Sequence, residues 1–405
     1  MLRVMPARQI RDISNLKITK IRTTPVSVPM KGSVKFSVGG TSGTSKVIVE
    51  VETNEGITGL GETFPLWVKD IIDHTLSPIL IGENPFNMER LTSKCLPTNA
   101  NLGLPYVDVY NLQAFGGIEM AIWDIMGKIC GVPSAMLMGG IYREEVPFSE
   151  YVFVSKQPGE SPANFNENVV KYCKKMVSEY KSPFLEFKVG TQRPSDDIEM
   201  VRLIREGVGE ETKIRADANC GWSESTALLT LRKMEEYCLD GIEEPSSGLP
   251  ADSRIRKVIK IPISVHWPRV RDVADWGLDA VVMNPLNQGG FGRTKKHIAI
   301  AEDLGVDFWL HSRSELGIGT AAYIHFLATT RHLVQPSQAW TVRVSEDFLT
   351  KEGEPRFERG VIRIPEGEGL GVTLDVSKLE KYHQLFLDVG EYNWLNSTGK
   401  SPPFY

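Results

Sequence analysis

The chain has 405 residues, 41% of them hydrophobic and 24% charged, with a formal net charge of -5. That length suggests two or three domains of an ordinary globular protein, and the acidic balance argues against nucleic acid as a partner. No apolar stretch approaches the roughly 20 residues that span a bilayer, and no membrane partner is expected.

The N-terminal MLRVMPARQIRDISNLK lacks the uninterrupted apolar centre of a signal peptide. Cys95, Cys130, Cys173, Cys220 and Cys238 are scattered without CxxC spacing. Free thiols in a cytoplasmic protein fit that pattern better than a disulfide framework or a structural zinc site.

Residues 17–62 alternate apolar and polar side chains with period two, which predicts a three-stranded antiparallel meander with a turn at Asn54-Glu55-Gly56. Inside it, KGSVKFSVGGTSGT reads as a Gly/Ser/Thr-rich loop, either a surface connection or a mobile cover over a site. Residues 66–139 read as helical; GGIEMAIWDIMGKICG repeats apolar residues at i, i+3, i+4 and i+7 and closes on Gly131 and Pro133. This α+β segment, residues 1–145, forms the first predicted domain.

From residue 146 the pattern changes to strand–helix repeats. VPFSEYVFV, FLEFKVG, KIRADAN, DGIEEP, IPISVH, AVVMNP, DFWLH and QAWTV are the predicted strands, and amphipathic segments separate them. Such alternation implies parallel strands, since a parallel connection needs a long crossover. Eight units in about 200 residues match a (β/α)8 barrel over 146–345. Gly289-Gly290-Phe291-Gly292 follows a late strand and lacks the rest of a dinucleotide fingerprint. In residues 346–405 a short hairpin and a final helix are expected to pack back on the first domain.

In a parallel barrel, the residues ending the strands face the one mouth where substrates bind. Lys188, Asp217, Glu243, His266, Asn284 and His311 occupy those ends. Asp217 and Glu243 fall on consecutive strands about 5 Å apart. They are either two acids compensated by Lys or Arg, or oxygen ligands of one Mg²⁺. Lys188 is either a general base with a lowered pKa or the ion-pair partner of Asp217. His311, across the mouth, is the second proton-transfer group.

FKVG, DAN, IEEP, a GG after the sixth strand and an HS after the seventh come in an order that resembles the enolase superfamily along nearly the whole chain. The resemblance implies a capping domain completed by the C-terminal tail, a modified barrel and a homo-oligomer. It also implies abstraction of the α-proton of a small carboxylate, with an enediolate stabilised on Mg²⁺. His311-Ser312 is similar to the mandelate racemase and glucarate dehydratase branches, and the tail EGEPRFERGVIRIPEGEGLGV is similar to acid-sugar dehydratases.

The expected reaction is therefore loss of the β-hydroxyl of a sugar acid. An epimerase or cycloisomerase, and a non-catalytic acid-binding barrel, stand as alternatives. Three positions depart from the family pattern. Glu186 replaces the first lysine of a KxK. His266 replaces an acidic or amide metal ligand and is expected either to bind the ion with Asp217 and Glu243 or to hydrogen-bond substrate. Asn284 replaces the Asp that would orient His311. Asn219, Asn284 and Glu186 are the expected substrate contacts.

Overall fold

The computed structural model describes residues 13–392 apart from 38, 97–108, 153, 155, 157–158, 267, 339–343 and 352. β1 (Ile18–Phe36), β2 (Gly39–Thr53) and β3 (Thr58–Thr63) pair antiparallel in that order, as the period-two pattern predicts. The predicted loop between β1 and β2 is instead a continuation of the two strands. Val34 pairs with Thr41 and Phe36 with Gly39, beyond a register shift that starts at Pro29. A backbone ladder holds this arm, and Val34 and Phe36, two residues apart on β1, form its small buried apolar cluster with Met30.

The meander packs on the long helix Val109–Cys130. Gly59 and Gly61 lie against the helix backbone at Ala121 and Gly117, where a Cβ would collide with carbonyl oxygens. Their faces close on a core that includes Val47, Val49, Val51, Phe115, Ile118 and Ile122.

Seven further parallel strands follow: β4 (Glu145–Val152), β5 (Phe184–Lys188), β6 (Lys213–Asp217), β7 (Gly241–Glu243), β8 (Ile263–His266), β9 (Ala280–Met283) and β10 (Asp307–Leu310). They pair in sequence order. β11 (Ser337–Gln338) pairs parallel with β4, and Leu310 N donates to Ser337 Oγ at 2.9 Å, which joins the last strand to the first. The rest of the predicted eighth strand, QAWTV, lies outside the described residues. The helix Gly317–Ala328 is buried along its whole length, sandwiched between barrel and cap.

The tail contributes the hairpin β12 (Phe357–Glu358) and β13 (Val361–Arg363), which lies antiparallel on the start of β4, and the helix Val376–Val389. That helix reaches the cap, where His383 Nδ1 lies 2.7 Å from Pro25 O. Beyond it, Ser27 Oγ donates to Gly390 O. Among the described residues no helix is long and apolar enough to cross a membrane.

Cap and barrel are joined by buried carboxylates that accept backbone N–H groups at helix starts, where unpaired donors and the helix dipole favour negative charge. Glu62 accepts from Leu316 N and Gly319 N at 2.7 and 2.9 Å, next to Gly317–Ala328. Glu119 accepts from Phe291 N and Gly292 N, opening the helix Phe291–Leu304. The double glycine read from the sequence serves this junction. Gly290 has φ +107°, and a Cβ there would strike the Glu119 carboxylate.

Burial pushes the Glu119 carboxyl up to about 7, against the pull of its backbone donors. Between its ordinary value of 4.5 and about 7 the folded state holds a proton that the unfolded chain has released. Stability should therefore fall as pH rises through that window. Thermal unfolding of the wild type and Glu119→Gln at pH 5 and pH 7.5 checks this. The wild type should lose ground relative to the variant on going to pH 7.5, and a difference that does not depend on pH would contradict it.

Candidate functional site

Neighbouring parallel strands set the residues of the mouth in register. Lys188 lies beside Asp217, and Asp217 beside Glu243. One level deeper, Glu186 lies beside Arg215, and Arg215 beside Gly241. Residues two apart on a strand share a face, so both levels point inward.

The deeper level is a buried ion pair. Arg215 Nη2 donates to Glu186 Oε2 at 2.5 Å and Nε to the same oxygen at 3.2 Å. Ser149 and Gln338 also donate to Glu186. The guanidinium is stacked 4.1 Å from the Trp309 ring centroid. Glu186 thus forms the floor of the mouth beneath Lys188.

At the upper level the Lys188 ammonium is ion-paired with Asp217 Oδ2 and lies 4.9 Å from the Phe36 ring and 5.3 Å from the Tyr151 ring. Asp217 Oδ1 accepts from Asn219 N at 2.9 Å. Asn219 holds this position with a left-handed φ of +42°, and its side chain turns back to Asp217 Oδ2 at 3.3 Å. Burial would raise the Asp217 carboxyl, but the charges of Lys188 and His266 hold it below its ordinary value. Burial, then repulsion from Asp217, pushes Glu243 up to about 7.

His266 stands above Glu243 and bridges two acids, with Nε2 2.7 Å from Glu243 Oε1 and Nδ1 2.8 Å from Glu244 Oε2. Burial opposes its charge, yet the two carboxylates raise it well above the ordinary histidine value. His311 packs edge-on against it, ring centroids 4.3 Å apart. Burial and the surrounding cations, His266 and Arg313 foremost, hold His311 well below 6.5. The mouth therefore sets a charged and a neutral imidazole in contact.

Asn284 is placed differently from the expectation. Its Oδ1 caps the following helical turn at Leu286 N and accepts from Tyr323 Oη. Its Nδ2 donates to His311 O and Glu315 Oε1. The amide thus holds the main chain of residue 311, and these four bonds go neither to the imidazole nor to the mouth. Tyr151 and Arg215 were missed by sequence reasoning. Tyr151 Oη donates to Asp217 Oδ2 at 3.4 Å, and burial followed by Asp217 and Glu186 raises its phenol well above 10.

Oxygens of Glu186, Asp217 and Glu243 lie within 4.8 Å of one another, a buried cluster able to hold a metal ion. The expected set of Asp217, Glu243 and His266 is also gathered here, though His266 Nε2 now faces Glu243. The arm of β1 and β2 reaches the same mouth, where Ser37 Oγ donates to Asn219 O and Thr44 Oγ1 to Ser314 O. Cys220, beside this site, is exposed.

Residues 18–139 match the mandelate racemase / muconate lactonizing enzyme N-terminal domain, and residues 168–378 match the enolase C-terminal domain-like model. The chain is 27% identical to an N-succinyl-L-Arg/Lys racemase of Bacillus cereus, over 90% of this chain and 98% of that protein. It is 28% identical to the chloromuconate cycloisomerase CbnB of Cupriavidus necator, with 91% and 99% covered. A Streptomyces coelicolor protein named probable glucarate dehydratase is 26% identical, with 92% and 93% covered. Among solved structures, an enolase from Streptomyces coelicolor superposes with TM-score 0.83 at 26% identity, covering 93% and 99%. One from Thermobispora bispora, complexed with magnesium and formate, superposes with TM-score 0.82 at 24% identity, covering 93% and 95%.

Arg215→Met should cost about 3–5 kcal/mol, because it leaves Glu186 buried without its cation. The double variant Glu186→Gln/Arg215→Met should recover much of that loss. Denaturant unfolding of the single and double variants checks the pair, and strictly additive losses would contradict it.

Proposed function

Because the chain belongs to the enolase superfamily, in its mandelate racemase and muconate lactonizing branch, we propose that it is an enzyme acting on a small-molecule carboxylic acid. It removes the α-proton of a sugar acid and eliminates the β-hydroxyl. The carrying observation is the pairing, in one buried mouth, of a lysine held as an ion pair and a histidine held neutral.

His311, neutral and buried, takes the α-proton at a ring nitrogen. The electron pair of the broken C–H bond becomes the C=C bond of the enediolate and then of the enol product. Lys188, whose ammonium lies on Asp217, delivers a proton to the β-oxygen as its C–O bond breaks, so the group leaves as water. Asn219 fixes Asp217, and Asn284 fixes the backbone of His311. Glu186 and Arg215 support Lys188 from below and do not touch substrate in this reading. Tyr151 completes the wall behind Lys188.

The donor set fits a divalent cation. Buried carboxylates that repel one another, with Glu243 pushed up to about 7, suit a hard ion such as Mg²⁺. Asp217 and Glu243 would hold it, with Glu186 or His266 completing the set. When bound, it would supply positive charge to the oxygens of the enediolate. Occupation by His266 requires its Nε2 to turn away from Glu243.

The racemase and cycloisomerase relatives carry a second reading, in which the same two proton-transfer groups act on a substrate that keeps its hydroxyl. Product analysis separates the two, since only elimination loses water.

An acid-sugar panel tests the proposal. His311→Asn and Lys188→Ala should each lower kcat by about 10²–10⁴ on the acid that turns over; full turnover in both would sink it. Because His311 must be neutral and is held below 6.5, the acidic limb of kcat/KM should lie below that value. A limb at or above 6.5 would contradict the assignment. Mg²⁺ or Mn²⁺ should raise the Tm of the wild type and not of Asp217→Asn; equal shifts in both would remove Asp217 from the ligand set.

A further inference from the structure

Glu244 follows directly on Glu243, the last residue of β7. In an extended strand the two carboxylates would point to opposite faces. Glu244 instead has a left-handed φ of +42°, uncommon for a residue with a Cβ. The turn brings its carboxylate to the ring that Glu243 already touches. His266 Nδ1 lies 2.8 Å from Glu244 Oε2, and His266 N donates to Glu244 Oε1 at 3.4 Å. One side chain thus grips both the ring and the main chain of His266.

The other ring nitrogen is aimed at Glu243. Nε2 stands 2.7 Å from Glu243 Oε1, yet both Glu243 oxygens are buried and accept no hydrogen bond among the described residues. Two ligands set at right angles, each about 2.1 Å from one ion, lie about 3 Å apart, so little movement would turn this contact into a shared cation. Glu186, the other candidate for third ligand, is already engaged. Its Oε2 accepts from Arg215 and Ser149, and its Oε1 from Gln338. A cation brought to it would also meet the charge of the Arg215 guanidinium.

Resting on the metal reading above, we infer that Glu244 is a positioning residue, which fixes the His266 ring so that Nε2 completes the ligand set of Asp217 and Glu243. A carboxylate can only accept a hydrogen bond, so Nδ1 carries the hydrogen and Nε2 is the nitrogen left to the ion. Such an outer carboxylate orients the ring and makes its other nitrogen a better donor. Glu244 itself does not touch the ion. The site takes a divalent cation with one nitrogen among its ligands.

Mn²⁺ titrated into the intact, chelator-treated protein tests this, with affinity read by calorimetry and the bound nitrogen by its ¹⁴N coupling to the ion in pulsed EPR. The wild type should show one directly bound nitrogen, absent in His266→Asp. Glu244→Ala should weaken Mn²⁺ binding by about 10- to 100-fold, the usual cost of losing an outer partner of a ligand, and should lose that coupling. Glu244→Gln, whose amide oxygen still accepts from Nδ1, should recover most of the affinity. Glu244→Met, similar in length but without an oxygen acceptor, serves if the alanine variant does not fold. Wild-type affinity with an unchanged coupling in folded Glu244→Ala or Glu244→Met overturns this inference and leaves the ion site in place. A wild-type Mn²⁺ complex with no bound nitrogen overturns it as well. No Mn²⁺ binding at all overturns it together with the proposed metal site. None of these readouts needs a substrate, so they stand apart from the proposed reaction.

Discussion

Opposite charges on adjacent strands of the barrel hold the mouth together. Parallel strands lie about 4.8 Å apart, so inward side chains at one level are forced into contact distance. Glu186 beside Arg215 and Lys188 beside Asp217 turn that constraint into attraction. Glu243, next in register to Asp217, would be left in repulsion, and His266 answers it from the level above. Removing one partner of such a buried set leaves an uncompensated charge that the interior cannot solvate. Each side chain is therefore fixed by its neighbour, and a rigid first shell is what a proton-transfer site needs.

The same lattice sets the state of His311. It touches His266, a charged ring, and Arg313 and Lys188 add to the same field, so its own proton is disfavoured. Two histidines of similar burial end in opposite protonation states because one has two carboxylates and the other has cations around it. The separation of acid from base in this mouth thus comes from placement on the strands and not from residue type. The glutamates at the helix starts, Glu62 and Glu119, do corresponding work between domains.

Much of this was legible in the sequence. Lys188, Asp217, Glu243 and His311 each end a short apolar run, and a parallel barrel has only one way to face such ends. The floor was equally available and went unread. Arg215 stands two residues before Asp217 and Glu186 two before Lys188, so period two puts both inward and side by side. Glu186 reads in the sequence as the replaced first lysine of a KxK and a substrate contact, while its partner is Arg215. Asn284 was read through its position opposite His311, although Asn-Pro-Leu is a helix-capping signal that accounts for its Oδ1 bond to Leu286 N. The arm of β1 and β2 is harder to read, because its buried alternation is confined to Val34 and Phe36 in a run of glycine, serine and threonine.

The central claim is that this mouth removes a proton from the carbon next to a carboxylate. Its most direct test is incorporation of solvent deuterium at that carbon, followed by NMR in D₂O with a series of carboxylic acids. The account predicts incorporation into at least one acid by the wild type, abolished in His311→Asn, with the label confined to the α-position. Incorporation that persists unchanged in His311→Asn, or none in any acid offered to a folded, metal-supplied protein, would contradict it.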